Sequence, residues 1–364
     1  MTGNSATGRV YAFLQNHPRL KHLARTTLMT ALKFAPPAWA YKVRSRIERF
    51  VFRAVDSVAE LPPAFHYWSH TWLRPILQAH GYNSPDDFFL QEVVAKATTG
   101  PLRILSIACG RAELEIALAR HLHQHMLTDF SIHCADLNGE MLDAAMARIA
   151  EAGLEGHFSC EVCDLNVETF PAETFDVIIA NQCLHHLSAL EHVMAQLAGA
   201  LKAGGVLLVS DVIGRNGHQL WPEALREMQA YWRQLPRRLR RDRALGGAPR
   251  AYVNYDHSAG GFEGIRAQDV LPCLLEEFEV ATCITFGCLT IPVVDRRFGW
   301  NYDIDDAQDR RRIDGLAERE NSLLATGELK PTQLLGKFIP RKPGQRDRNA
   351  QTRQVLRTVL RSPV

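Results

Sequence analysis

The spacing of apolar residues changes near residue 102 of this chain. Before that point apolar positions recur at helical intervals, and proline pairs at 36–37 and 62–63 interrupt the runs, because proline cannot continue a helix from within. Beyond residue 102, short continuous apolar runs alternate with helical stretches. Continuous apolar strands separated by helices are typical of a parallel sheet that is buried on both faces. The pattern therefore predicts an α/β domain that follows a helical region.

The pattern also predicts the individual elements and the domain organisation. The predicted strands are 103–108, 130–135, 157–163, 175–180, 205–211, 280–289 and 332–339. The predicted helices are 114–123, 139–152, 190–201, 269–278 and 305–326, with one more that begins at Ser84-Pro85. We expect a helical N-terminal region at 1–98, an α/β domain at 99–340 with an insertion at 214–268, and a disordered basic tail at 341–364.

Composition and charge limit the classes of protein to consider. The 364 residues are 46% hydrophobic and 23% charged, which excludes a chain that is disordered throughout. No apolar run reaches the ~18–20 residues that span a bilayer, and the N-terminus lacks the pattern of a secretion signal. We therefore expect a cytoplasmic protein. The net charge is only +2, but residues 1–55 and 341–364 are both basic.

The segment after the first predicted strand carries the most informative motif. It reads Ser106-Ile107-Ala108-Cys109-Gly110-Arg111-Ala112, with small residues at alternate positions. Such residues let a chain turn tightly into a helix and let a ligand approach the backbone. The segment resembles the first motif of class I methyltransferases that use S-adenosylmethionine (SAM), Asp/Glu-x-Gly-x-Gly-x-Gly. Ser106 stands where the family has the acid, and Ala108 and Ala112 stand for two glycines.

Four later segments follow the same family in the same order. Asp136 ends the second predicted strand and Asp164 follows the third. Residues 175–187 resemble the fourth-strand signature of small-molecule methyltransferases, which ends in Asn-x-x-(apolar)-His-His-(apolar), and residues 201–211 resemble the turn and fifth strand. The resemblance implies a doubly wound, seven-stranded, mostly parallel sheet, with the N-terminal helical region as a lid.

The resemblance also implies a SAM site at the carboxyl ends of the strands. Asp136 would accept both ribose hydroxyls, and Asp164 would accept from the adenine amino group. Arg215 would pair with the SAM carboxylate or with an acidic substrate, since a guanidinium suits bidentate pairing. The expected cofactor-binding residues are Ser106, Ala108, Cys109, Gly110, Asp136, Leu137, Met141, Asp164, Leu165, Asn181, Gln182, His186 and Arg215.

Methyl transfer from SAM mainly requires alignment of the acceptor, because the sulfonium methyl is already activated. A general base is needed only when the acceptor must lose a proton, and the candidates are His185, His218 and Asp256. Sulfur loses its positive charge as the methyl group is transferred, and an enclosed aromatic pocket would favour this change. The candidate aromatic residues are Tyr11, Trp39, Tyr41, Tyr67, Trp68, Trp72, Tyr252, Tyr255 and Tyr302.

We expect no native metal site. Cys160 and Cys163 have the spacing of half a zinc site, but they point to opposite faces of a regular strand and no second pair completes four ligands. His121, His123 and His125 diverge around a helix, because residues two apart do not share a face.

Other functions fit parts of the sequence, alongside the leading hypothesis of a SAM-dependent methyltransferase for a small molecule or a carrier-bound metabolite. In a SAM cyclase, the amino nitrogen of SAM would attack its own γ-carbon to give azetidine-2-carboxylate and methylthioadenosine; the absence of a clear acceptor base favours this alternative. Arginines at 237–243 favour a nucleic-acid methyltransferase, but 181–187 lacks the Asn/Asp-Pro-Pro-aromatic pattern of enzymes that methylate base nitrogens, so no nucleic-acid partner is expected. A SAM-binding protein without catalysis is the fourth possibility.

Overall fold

The computed structural model describes residues 60–361 apart from 98–99 and 342–348, together with residues 27, 36 and 39–43. The helices are α1 (Pro63–Trp68), α2 (Arg74–Gln78), α3 (Pro85–Val94), α4 (Glu113–Gln124), α5 (Gly139–Glu151), α6 (Leu190–Ala200), α7 (Pro222–Gln234), α8 (Ala267–Glu277), α9 (Ile291–Val294), α10 (Ala307–Thr326) and α11 (Ala350–Thr358). The strands are β1 (Leu102–Ile107), β2 (Phe130–Asp136), β3 (Phe158–Val162), β4 (Phe175–Asn181), β5 (Leu201–Val212), β6 (Phe278–Phe286) and β7 (Gln333–Pro340). Most of residues 1–59 lie outside the described part, so the helices predicted there stay predictions.

The chain divides into two compact units. The sheet unit comprises Leu73–Asn216, Gly264–Phe286 and Lys330–Val364, and the helical unit comprises Met1–Trp72, Gly217–Glu263 and Gly287–Leu329. This division differs from the expected boundaries at both 98 and 268.

Long-range side-chain contacts explain the difference in boundaries. Lys337 on β7 pairs with Glu92 of α3 at 2.6 Å, which places α3 in the sheet unit. Arg238 pairs with Asp309 of α10 at 2.5 Å, which places α10 in the helical unit. Neither pairing is visible in the spacing of apolar residues along the chain.

Among the described residues, seven strands form one sheet in the order β3-β2-β1-β4-β5-β7-β6. β7 runs antiparallel to both of its neighbours, and the other pairs are parallel. The predicted seven-stranded, mostly parallel sheet is therefore confirmed. Strand order reverses between β1 and β4, and in open α/β sheets ligands bind at the carboxyl ends of the strands beside such a reversal.

The predicted start of α3 is also confirmed. The Ser84 hydroxyl accepts a hydrogen bond from the Asp87 amide, with Pro85 in the first turn. The insertion at 214–268 contains a helix that the apolar pattern did not predict, α7, which begins at Pro222.

The prediction of a disordered tail at 341–364 is wrong for part of that segment. Asn349 caps α11 by accepting from the Thr352 amide, and the buried Thr352 hydroxyl accepts from the amide of Val280 on β6 at 2.8 Å. Val355 is buried one turn further along α11. Two inward residues separated by three positions are enough to fix a helix on a sheet edge, even in a segment rich in arginine.

The helical unit has a core of its own. Trp232 of α7 packs edge-to-face on Tyr252 and Phe298, and all three side chains are buried. Among the described residues, no helix combines the length and the apolarity that a bilayer crossing requires.

Candidate active site

The loop between β1 and α4 lies where the strand order reverses. Ala108, Gly110 and Ala112 all adopt the left-handed conformation, with φ of 50°, 57° and 56°. Glycine reaches this region freely, whereas alanine does so at a cost of about 1–2 kcal/mol. The loop therefore keeps the backbone that the glycine-rich motif would give, although two of its glycines are replaced.

Asp136 joins this loop to the end of β2. Its two carboxylate oxygens accept from the amides of Gly110 at 2.9 Å and Asn138 at 2.8 Å. Burial raises the pKa of Asp136, and the two amide hydrogen bonds oppose that shift. The carboxylate is thus fixed beside the loop, and each of its oxygens keeps a second lone pair for a further donor.

A second buried acid lies beneath the same loop. Ser106 donates to the Glu115 carboxylate at 2.5 Å, and Glu115 is almost fully buried on α4. Burial raises its pKa to about 7. A carboxylate from the helix therefore reaches Ser106, the position where the family motif carries its acid.

Sequence analysis missed Glu115, although a signal existed. Glu115 occupies the same helical face as Leu118, Ala119 and Leu122, which are all buried. An acid on an apolar helical stripe indicates a buried carboxylate with a specific partner.

Hydrogen bonds connect the segment after β3 to the segment after β4. Asp164 accepts from the Asn166 amide at 3.1 Å, and the Asn166 side-chain oxygen accepts from the amides of Ser188 and Ala189. Leu165, which lies between Asp164 and Asn166 in the sequence, is buried. Asp164 therefore lies in a structured loop at the carboxyl end of the sheet, and its contact with adenine stays a prediction.

Asp211 organises the segment that follows β4. It is fully buried and accepts from the amides of Cys183 and Leu184 and from His185 Nδ1, the last at 2.6 Å. Burial would raise the pKa of Asp211, but His185 and the amides lower it overall. Because His185 is only 3% exposed, we expect it to position this segment rather than to act as the acceptor base.

The remaining predicted cofactor residues lie in the same unit. Asn181 ends β4, and Gln182 follows in a left-handed conformation, with its side chain donating to Ser210 at 3.1 Å. His186 is half-buried and its ring centroid lies 4.0 Å from that of His185. Leu137, Met141 and Arg215 are also half-buried. The structure thus places every expected cofactor-binding residue in the sheet unit.

Residues 105–207 match the family model described as "Methyltransferase domain". The chain carries a class I SAM-dependent methyltransferase domain. SAM is accordingly the cofactor that this family assigns to the site.

Individual relatives are similar to the methyltransferase domain over limited lengths. The 27-O-demethylrifamycin SV methyltransferase of Amycolatopsis mediterranei is 29% identical over 37% of this chain and 50% of its own length. The ubiquinone/menaquinone biosynthesis C-methyltransferase UbiE of Cellvibrio japonicus is 29% identical over 29% of this chain and 41% of its own length. The chain therefore spans half or less of these relatives.

A solved structure is also similar to the chain. The SAM-dependent methyltransferase from Mesorhizobium loti aligns with 71% of this chain and 98% of its own, at 18% identity and a TM-score of 0.38.

The two other candidate bases lie outside the methyltransferase domain, in the helical unit. His218 Nε2 lies 2.7 Å from the Glu263 carboxylate. Asp256 instead caps a short helical turn, accepting from the amide and the hydroxyl of Ser258 at 2.9 and 2.6 Å. These contacts favour His218 over Asp256 as a base.

Two neighbours of His218 were not predicted. Glu263 is its carboxylate partner, and the His257 ring centroid lies 5.8 Å from that of His218. Burial lowers the pKa of His257 to about 4, and the neighbouring His218 adds to the effect. His257 is therefore neutral near pH 7. No spacing along the chain indicated that Glu263 would reach His218, 45 residues earlier.

Several predicted lining aromatics have packing roles within the helical unit. The Tyr67 hydroxyl and Trp72 Nε1 both donate to Asp314 of α10, at 3.0 and 2.8 Å. Trp68, Tyr252 and Tyr302 are buried. Tyr41 packs on Phe262, Tyr255 packs on His257 and Trp39 is exposed. Tyr11 lies outside the described residues.

Proposed function

We propose that the chain is a SAM-dependent methyltransferase with a small-molecule acceptor. The single observation that carries the proposal is the geometry of Asp136, whose buried carboxylate at the end of β2 is fixed against the Gly110 loop by two amide hydrogen bonds. An acid in this position of a doubly wound fold favours a nucleoside ligand, since it can accept from ribose hydroxyls.

The loop has room for such a ligand. A Cβ atom built on Gly110 would meet no other atom within 4 Å, so the space beside this residue is open. The Asp136 carboxylate lies next to it and has acceptor capacity left. Both features fit the nucleoside of SAM.

The chain's own residues would align the reactants and remove a proton. SAM supplies a methyl carbon that is already activated by its sulfonium. For a hydroxyl acceptor, the proton released as the methyl group leaves sulfur for the acceptor oxygen would pass to His218. Glu263 beside Nε2 would hold the imidazole in one tautomer and one orientation.

The similar proteins support a small-molecule acceptor. Their names refer to a rifamycin and to ubiquinone or menaquinone, and they include both O- and C-methyltransferases. A carrier-bound form of the acceptor belongs to the same proposal.

The proposal is tested by product analysis. The full chain is incubated with SAM alone and with SAM plus phenolic, quinone-type or carrier-bound acceptors, and products are identified by mass spectrometry. S-adenosylhomocysteine that forms only with an acceptor, together with an acceptor heavier by one methylene, supports methyl transfer. Methylthioadenosine formed enzymatically from SAM alone indicates cyclisation and overturns the proposal, as does an absence of turnover with every acceptor.

The role of His218 has a test of its own. His218→Gln should lower kcat by a factor of about 10²–10⁴, the usual contribution of a general base, with SAM affinity unchanged. It should also remove the limb of the pH–rate profile that rises with pH. His192→Gln, which changes a half-buried histidine of the methyltransferase domain, is the control. An unaltered pH profile in His218→Gln would exclude His218 as the base.

A further inference from the structure

The arginine-rich segment at 237–243 has a fixed backbone. Asp242 within it is buried and accepts from the amides of Ala244 and Leu245, both at 2.9 Å, and from Arg297 at 2.7 Å. Asn301 donates to the carbonyls at 239 and 241. A basic segment that only faces solvent would not need these buried hydrogen bonds. The backbone that carries the arginines is therefore held in a defined position.

Four of the arginines surround one recess in the helical unit. Its volume is about 660 Å³, and no acidic side chain among the described residues lines it. It is lined by Arg237, Arg238, Arg241, Arg243, Gly247, Ala248, Trp300 and Asn301. We call this the arginine recess.

The positive charge of the arginine recess is only partly neutralised. Arg238 pairs with Asp309 at 2.5 Å and lies 3.7 Å from Asp306. Within the part of the chain that the structure describes, no carboxylate pairs with Arg237, Arg241 or Arg243. Three guanidinium groups at the recess therefore have donors without an anionic partner among the described residues.

We propose that the arginine recess binds a small molecule that carries a diphosphate group. Guanidinium groups match phosphate oxygens in bidentate geometry, and several of them around one site favour more than one phosphate. The volume lies within the ~300–1,000 Å³ of small-molecule sites, larger than a diphosphate alone requires. Trp300 and the small residues Gly247 and Ala248 provide an apolar wall for an organic body.

The same observations make single-stranded RNA the weaker alternative. RNA sites combine a basic groove with several aromatic side chains on which successive bases stack. The arginine recess has a single aromatic residue, Trp300. A bounded recess with concentrated charge fits a compact polyanion better than an extended strand.

The test uses the full chain and isothermal titration calorimetry at fixed ionic strength. The probes are inorganic pyrophosphate, ADP and a single-stranded RNA oligonucleotide. The test variant is Arg237→Gln/Arg241→Gln, which removes two exposed charges from the recess. The matched control is Arg226→Gln/Arg233→Gln, which removes two exposed charges from α7 of the same unit. SAM titrated into each variant reports separately on the methyltransferase domain.

We expect pyrophosphate and ADP to bind the wild type, with affinity at least tenfold lower in the test variant and within twofold of wild type in the control. Equal weakening in both variants would show diffuse charge attraction and overturn the proposal. An absence of pyrophosphate and ADP binding, or RNA binding that neither probe displaces, would also overturn the proposal. If SAM binds normally and pyrophosphate does not bind, only the proposal for the arginine recess is refuted. If pyrophosphate binds and SAM does not, only the SAM site is refuted.

Discussion

Two pairs of buried acids, one pair in each unit, are held differently. In the methyltransferase domain, Asp136 and Glu115 are buried against amides and a hydroxyl, with no cation at ion-pair distance among the described residues. In the helical unit, Asp242 and Asp309 are equally buried but each pairs with an arginine, Arg297 or Arg238.

This difference fits our proposal that Asp136 is kept for a ligand, whereas Asp242 and Asp309 stabilise the fold. Burial raises the pKa of Asp136 and Glu115. Keeping either carboxylate charged therefore lowers the stability of the fold, and no charged partner among the described residues offsets this loss. Burial would also raise the pKa of Asp309, but the hydrogen bonds from Arg238 lower it overall. Groups with strongly shifted pKa values are frequent at functional sites, which fits a ligand-binding role of Asp136.

The largest expected effect is on SAM binding. Asp136→Ala should abolish measurable binding, because it removes two charge-assisted hydrogen bonds to ribose of about 1.5–3 kcal/mol each. Calorimetry measures the affinity, with Asp143→Ala on the exposed face of α5 as control. Asp136→Asn keeps the shape of the side chain if the alanine variant fails to fold. Unchanged affinity in both variants would show that the ribose site lies elsewhere.

Next in size is the loss of a buried ion pair in the helical unit. Asp242→Asn should lower the free energy of unfolding by about 3–5 kcal/mol, because Arg297 keeps its charge in a site that is almost closed to water. Urea denaturation measures it, and Asp295→Asn, an exposed acid beside Arg296, should change stability by less than about 1 kcal/mol. A loss as small as that of the control would contradict the structural role of the pair.

The opposite sign is expected for the unpaired acid of the methyltransferase domain. Glu115→Gln should raise the free energy of unfolding at pH 8 by about 1–3 kcal/mol, since the wild type must bury a charge there. The folded-state pKa is about 7 against an ordinary 4.5, so the wild-type stability is complete below pH 4.5 and falls as pH rises through 7. The gain should therefore vanish on acidification.

Unfolding curves of Glu115→Gln between pH 4.5 and 8 test this directly. Glu113→Gln, an exposed acid of the same helix, serves as the control. A variant less stable than wild type at pH 8 would mean that the Glu115 charge is compensated after all.

The smallest expected effect concerns Ala112, one of the two alanines of the loop after β1. Ala112→Gly should change stability by less than about 1 kcal/mol, because relief of the left-handed strain offsets the lost methyl group and the added flexibility. Ala119→Gly, a buried alanine inside α4, has no strain to relieve and should cost about 1–2 kcal/mol. Equal losses in the two variants would show that the loop backbone is unstrained.

Much of the methyltransferase domain could be predicted from the sequence because its signals are local. Apolar strands, their order along the chain and the acids at their ends all follow from short periodic patterns. Asp136 and Asp164 were placed correctly at the carboxyl ends of strands for this reason. The tail at 341–364 was predicted incorrectly because its charge hides the two inward residues of α11.

The catalytic assignments were harder to predict because they depend on pairs of side chains. His185 was a candidate base by its position after β4, but it is buried and hydrogen-bonded to Asp211, 26 residues later, which favours a positioning role. His218 was one of several candidates, and only the contact with Glu263 distinguishes it from Asp256.

The sequence by itself determined the sheet, the loop after β1 and the acid that faces it, since each depends on neighbours a few residues apart. Only the tertiary structure decided which buried acids are paired, which histidine has a carboxylate partner and where the arginines of 237–243 gather around a recess. The physical reason is that ion pairing and burial depend on distance in space, and the folded backbone brings together residues such as Asp242 and Arg297 that are 55 positions apart.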